Sequence, residues 1–321
     1  LGATAVVTLE RDALDRDDYG AQTVADGVII CHYDVVGMRH RRKVEIRKLR
    51  SMAHLHGLHS YRIDTNGWTV FPRLEALVPA ETTGITTARP ASRLGFGVAE
   101  LDQLLNQGMS AGTTSMIVGE PGAGKTLLGL HWLAEGLRLG EPGLFLGFDE
   151  QREQLVEKAR LFGIDLVQHE QSGLLSIRTF APVENDPDEI SAAMCDTVEA
   201  RGVRRLVLDD VFYLERATVR EDRGHDYFGA LVTYLRWTGT TLLGTKTISR
   251  LGADAIDFSD TPLSLMAENL LWLRHTRDES AMQRTLSVLA LRDGDPDQGV
   301  FSYMIGPAGL TVTRRFGPGS G

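Results

Sequence analysis

A chain of 321 residues, 42% of them hydrophobic, holds material for one large α/β domain or two modest ones. Its formal charge of −9 makes it a poor generic partner for nucleic acid or anionic membrane, and its two cysteines, Cys31 and Cys195, give no disulfide framework. No apolar run nears the roughly 20 residues of a membrane span and no signal peptide is visible, so the expected setting is a reducing cytoplasm.

The chain opens on Leu1, not Met, in a strand-like run, GATAVVTL, which reads as the interior of a longer protein. A repeat organises the rest of the chain. At a fixed offset of 242, residues 25–73 overlay 267–315 without a gap, and 12 of the 49 positions are identical. Ordinary residue frequencies would give roughly 3. The overlay is densest in HSYRIDTNGWTV (59–70) and FSYMIGPAGLTV (301–312). Within the first copy, RHRRKVEIRKLR (39–50) has a period of two, with Val44, Ile46 and Leu49 inward, and reads as a strand with a charged outer face rather than a nucleic-acid patch. HLHGLH (54–59) lacks acidic or cysteine partners and reads as a loop rather than a metal site. Residues 79–91, rich in Thr, Ala and Pro, form a linker.

Beyond the linker, elements alternate. VAELDQLLNQG suggests a short helix, TTSMIV a strand, GKTLLGLHWLAEGLRLG a helix stopped by Gly140, and GLFLGF a buried strand. Helices are expected over Gln151–Phe162, Asp188–Ala200 and Asp226–Trp237, with strands at RRLVLDD and TTLLGT. From Asn269 the pattern changes to short strands separated by turn signals, DGDPDQG and GPAG. The expected fold is α/β, a mostly parallel twisted sheet with helices on both faces and antiparallel strands at its C-terminal edge. The repeat implies tandem domains: 1–78 as the C-terminal part of a first, 92–315 as a complete second, and 316–321 as a flexible tail.

GEPGAGKT fits the phosphate-binding pattern G-x-x-x-x-G-K-[ST], with a strand before it and a helix after it. The candidate nucleotide contacts are Gly119, Glu120, Pro121, Gly122, Ala123, Gly124, Lys125, Thr126 and Leu127. Glycines let backbone N–H groups converge on phosphate oxygens, Lys125 supplies charge to the β/γ-phosphates, and the Thr126 hydroxyl is placed for Mg²⁺. In LVLDDVF an apolar strand ends in Asp209, the candidate second metal ligand, with Asp210 the lesser candidate. FLGFDEQREQL places Asp149 and Glu150 at the next strand end, where a carboxylate could orient or deprotonate water. Asp149 could equally cap the helix that follows, leaving Glu150 catalytic.

The string RLGFGVAELDQLL, GMSAGTTSMIVGEPGAGKT, GLFLGFDEQREQL and RRLVLDD resembles the KaiC family of RecA-like ATPases, the circadian clock group and its non-clock relatives. DGVIICHY, RRKVEIRKLRS and GLHSYRIDTNGWTVFPR resemble the end of the first of that family's two tandem domains. The resemblance implies hexameric rings with ATP between subunits, Glu150 in the catalytic position, and a Lys-x-Arg pair reaching the γ-phosphate from a neighbour. The first repeat keeps that pair as Lys48 and Arg50; the second keeps Arg292 but has Ala290 for the lysine. One trans cation instead of two implies slow hydrolysis. Clock members autophosphorylate an adjacent Ser-Thr pair, which aligns here with Ser264 and Leu265, so a paired phosphorylation site is not expected and Ser264 remains as an isolated candidate autokinase target. Three functions follow: a slow ATPase ring in signalling or clock-like regulation with an unknown partner protein; an ATP-gated regulator or scaffold that hardly turns over; and, disfavoured by the acidic charge, a DNA motor.

Overall fold

The computed structural model describes residues 4–10, 24–36, 38–79, 92–183, 186–219, 223–248, 263, 266–278, 281–297, 299–307 and 309–316. The chain divides into two compact units, Leu1–Val70 and Phe71–Gly321.

The first unit is a four-stranded sheet in the order β1 (Gly27–Val36), β2 (Arg39–Leu49), β3 (His59–Asp64) and β4 (Gly67–Phe71). The basic run forms β2 as expected, with Val44 buried; Lys43 is buried as well, its Nζ donating to Ser60 Oγ at 2.7 Å. The strand expected over GATAVVTL does not form in the described residues 4–10, which are irregular, with Val6, Val7 and Leu9 exposed. A single apolar strand without a paired neighbour has neither a ladder nor a face to bury.

In the second unit, α1 (Leu74–Leu77) comes first. The sequence groups it with the first segment, but here Leu74 is buried and Glu75 pairs with Arg223 at 2.7 Å. Next come the short β5 (Arg93–Leu94), α2 (Ala99–Leu104) and β6 (Met109–Ser110). The main sheet is built from β7 (Thr114–Gly119), β8 (Gly143–Gly147), β9 (Leu175–Thr179), β10 (Arg205–Asp209) and β11 (Thr241–Thr247), all parallel. The connecting helices are α3 (Lys125–Arg138), α4 (Arg152–Arg160), α5 (Leu166–Gln171), α6 (Pro187–Arg201), α7 (Phe212–Val219) and α8 (Gly224–Thr238). The nine-stranded sheet is completed by β12 (Asn269–Asp278), parallel to β7, then by β13 (Ala281–Ala290), β14 (Val300–Gly306) and β15 (Gly309–Phe316) running antiparallel. Its order is β15-β14-β13-β12-β7-β11-β10-β8-β9.

Alternate residues of the central strands feed two cores. Ile117, Phe145, Val207 and Leu243 join the α3 side; Met116, Val118, Leu144, Leu206 and Leu242 join the α6 and α8 side. A sheet buried on both faces brings the C-terminal ends of β7, β8, β10 and β11 to one edge, where ligands of open parallel sheets bind.

The repeat is visible in the strands themselves. Adding 242 to the bounds of β1 gives those of β12. A register shift between Val28 and Ile29 recurs between Leu270 and Leu271. Gly67 and Gly309 open β4 and β15 with φ of +103° and +92°. Burial separates the copies: Ile29 and Trp68 are 62% and 50% exposed, whereas Leu271 and Leu310, at the same repeat positions, are 0% and 4% exposed.

Candidate functional site

The turn after β7 offers backbone to the space above the sheet. A Cβ on Gly119 would lie 2.4 Å from the Leu273 carbonyl of β12, so no larger residue fits. Gly124 has φ +93° and precedes α3 as its N-cap, so the unpaired N–H groups and positive end of that helix point at the turn. Lys125 is buried, and its Nζ donates to the carbonyls of Gly119 (3.1 Å) and Glu120 (3.0 Å). Burial holds its pKa below the ordinary lysine value, while Asp210, Asp209 and Asp149 pull it back up.

The next helical residue, Thr126, donates from Oγ1 to Asp209 Oδ2 at 2.8 Å, and Thr245 of β11 donates to Oδ1. Burial raises the Asp209 carboxyl above the usual range, opposed by these two hydroxyl bonds. Asp210 serves the scaffold, accepting from the backbone N of Phe212 (2.9 Å) and Thr247 (2.7 Å). Of the two acids, Asp209 is the one that meets the turn.

At the end of β8 the acid pair diverges. Asp149 accepts from the Tyr213 hydroxyl of α7, which pushes the phenol up to about 12. Glu150 pairs through Oε1 with Lys158 of α4, while its Oε2 is buried and accepts no hydrogen bond among the described residues. Asp149 does not cap α4. Gln151 holds that position, its backbone N donating to Gln154 Oε1 at 3.0 Å.

The C-terminal strands grip the turn from its other side. Glu120, buried, accepts from His275 N (3.0 Å) and Nδ1 (2.8 Å) of β12. Tyr303 of β14, also buried, donates its hydroxyl to the Ala123 carbonyl. Beside these contacts opens a pocket of about 520 Å³ lined by Arg284, Ser302, Tyr303, Met304, Ile305 and Thr313.

A family model for the KaiC ATPase matches residues 1–75 and 94–316. The chain belongs to the KaiC ATPase family. It is 27% identical over 98% of its length to the circadian clock oscillator protein KaiC of Picosynechococcus sp., covering 60% of that protein. It is 26% identical over 98% of its length to the circadian clock oscillator protein KaiC of Rippkaea orientalis and to the circadian clock protein KaiC3 of Synechocystis sp., covering 60% and 62% of them. The chain thus spans about three fifths of the length of these curated relatives.

Set against KaiC membership, the sequence-expected residues fall into groups. Gly119, Glu120, Pro121, Gly122, Ala123, Gly124, Lys125 and Thr126 form the turn and the start of α3, with Asp209, Asp149 and Glu150 at the neighbouring strand ends; Leu127 is buried in α3. Arg292 is elsewhere. It follows β13 at the Asn269 end, with its N donating to Asn269 Oδ1 at 3.0 Å and its guanidinium on Glu268. Asn269 is in register with Ser115, at the opposite end of β7 from the turn. Four strand steps from Ser115 to Gly119, at about 3.3 Å each, separate Arg292 from its own turn by roughly 13 Å. Lys48 lies at the corresponding end of β2 and Arg50 just past it, with Arg50 paired to Asp26 at 2.9 Å. Ser264 lies outside the described residues, as do most of the linker and the tail. No helix among the described residues is long and apolar enough to cross a membrane. The histidines at 54–59 form no metal cluster among the described residues.

Sequence reasoning misses His275, Tyr303, Tyr213 and Lys158. Tyr303 carries a signal, since it is identical to Tyr61 in the repeat; the other three are joined to the site only through folding.

Proposed function

We propose that the chain is a subunit of an ATP-hydrolysing KaiC-type ring that turns over slowly, with ATP shared between neighbouring subunits. The observation that carries this reading is the convergence of the Thr126–Asp209 contact and buried Lys125 on one glycine turn, with Glu150 just past the end of β8, the strand paired with that of Asp209. Backbone N–H groups of the turn cradle the phosphates, and Lys125 leaves the carbonyls of Gly119 and Glu120 for the β/γ-phosphates. Hard oxygens on Thr126 and Asp209 fit Mg²⁺ and would hold it, where it neutralises charge on the phosphates. Glu150 orients the attacking water, accepts its proton, and leaves the γ-phosphoryl group to pass to the water oxygen with ADP departing. Asp149, held by Tyr213, stays aside.

Arg292 cannot serve its own turn from the far end of the sheet, which supports a role in trans on the neighbour's ATP. The Glu268 pairing and Ala290 at the lysine position favour slow turnover, and they also favour a second reading, in which ATP gates assembly and is hardly consumed.

The same reading takes residues 1–78 as the closing strands of a preceding domain of the same kind. Coincident strand bounds, the shared register shift and the exposure of Ile29 and Trp68 support it, because their counterparts are buried against a complete domain. Mixing tests the shared site. Lys125→Ala and Arg292→Ala should each be inactive alone and recover turnover when combined, since some interfaces then carry both intact residues. Full activity of Arg292→Ala alone would remove the trans role.

A further inference from the structure

A carboxylate orients water best when it is itself held in one position. The structure supplies the holder. Lys158 lies in the last turn of α4, where side chains lean back toward the helix N-terminus, and its Nζ takes Glu150 Oε1. Oε2 is buried and accepts no hydrogen bond among the described residues, so the Lys158 pairing is what fixes this carboxylate. Neighbouring charged groups have other partners, so they leave this pair alone: Asp149 and Asp209 accept from Tyr213 and from Thr126 and Thr245, and Lys125 donates to two turn carbonyls.

We propose that Lys158 is a positioning residue that fixes the Glu150 carboxylate by holding Oε1, so that the acid keeps one orientation at the end of β8. This rests on the reading of Glu150 given above. A plain alternative is that Lys158 merely complements the C-terminal end of α4, a solvated helix cation with a small effect on stability. The two differ in what they move. A helix cation affects stability alone; a positioning residue affects the chemical step, because a misplaced acid loses orientation without weakening ATP binding.

The test is steady-state phosphate release by the full chain over a range of Mg-ATP concentrations, with Lys158→Ala, Lys158→Met, Lys158→Arg and Glu150→Gln. Lys158→Ala should lower kcat about tenfold with KM within about twofold of wild type, and Lys158→Arg should restore most of it. Lys158→Met keeps the stem and loses the charge, and carries the comparison if the alanine variant does not fold. If Glu150→Gln is inactive while Lys158→Ala and Lys158→Met turn over at the wild-type rate, Lys158 has no positioning role. If Glu150→Gln itself keeps wild-type turnover, the assignment of Glu150 fails, and that of Lys158 with it.

Discussion

Replacing Tyr303 by phenylalanine asks how far the antiparallel edge shapes the nucleotide turn. The Tyr303 hydroxyl donates to the Ala123 carbonyl, between two glycines of positive φ, and the ring is 3% exposed. Phenylalanine keeps the ring volume, so no cavity term arises. What is lost is one buried hydrogen bond, with a carbonyl left dry, which costs about 1–3 kcal/mol. Part falls on global stability, a drop in Tm of about 2–4 °C per kcal/mol for a unit of this size. The rest falls on the turn, which then samples conformations unable to cradle phosphates. A share of about 1.4 kcal/mol weakens ATP binding about tenfold. Titration with a fluorescent ATP analogue, alongside thermal melts with and without Mg-ATP, reads both. Tyr61→Phe, at the same repeat position, should leave affinity unchanged. Were Tyr303→Phe to lower Tm while Kd stayed within about twofold of wild type, the edge would be packing only and would not shape the turn.

Further predictions rest on single contacts. Asp209→Asn should abolish Mg-dependent turnover yet raise the Tm of the ligand-free protein near neutral pH by a few degrees, on the order of 1 kcal/mol, because a desolvated charge is removed. Burial raises the Asp209 pKa, so its contribution to stability is complete below the unfolded value near 3.8 and is lost as pH rises through the folded one. The variant's advantage should therefore close as pH falls, which melts across that range would show. Gly309→Ala should destabilise more than Gly67→Ala in urea titrations. Both need positive φ, but a Cβ on Gly309 would lie 2.2 Å from His131 Nε2, whereas one on Gly67 meets nothing within 4 Å. Ala290→Lys restores the two-cation pattern and should raise turnover several-fold in phosphate-release assays under assembling conditions.

Local signals make most of this molecule legible from its residues alone. The glycine turn, the apolar strand ending in Asp209 and the helix and strand alternation depend on neighbours in the chain, and the helices expected at 151–162, 188–200 and 226–237 lie within a few residues of their places, whereas β9 is not among the expected elements. The gapless repeat extends even to a shared register shift. Partners chosen by tertiary structure are not legible in this way. Nothing local joins Glu120 to His275, 155 residues away, or Tyr213 to Asp149. The short α5 and α7 escape because each spans little more than two turns at most, too little for a period to show. Asp149 resembles a helix cap because an acid before a helix usually is one. The run at 2–9 resembles a strand because its apolar residues would suit one, and pattern alone does not say whether a paired neighbour exists.

Hydrolysis of ATP at the turn, with Glu150 as the water-orienting acid, stands or falls on one comparison. ATP binding and phosphate release are measured side by side for the wild type, Lys125→Ala and Glu150→Gln. The expected outcome is release from the wild type, loss of both binding and release in Lys125→Ala, and binding without release in Glu150→Gln. Release from all three at the same rate would contradict it.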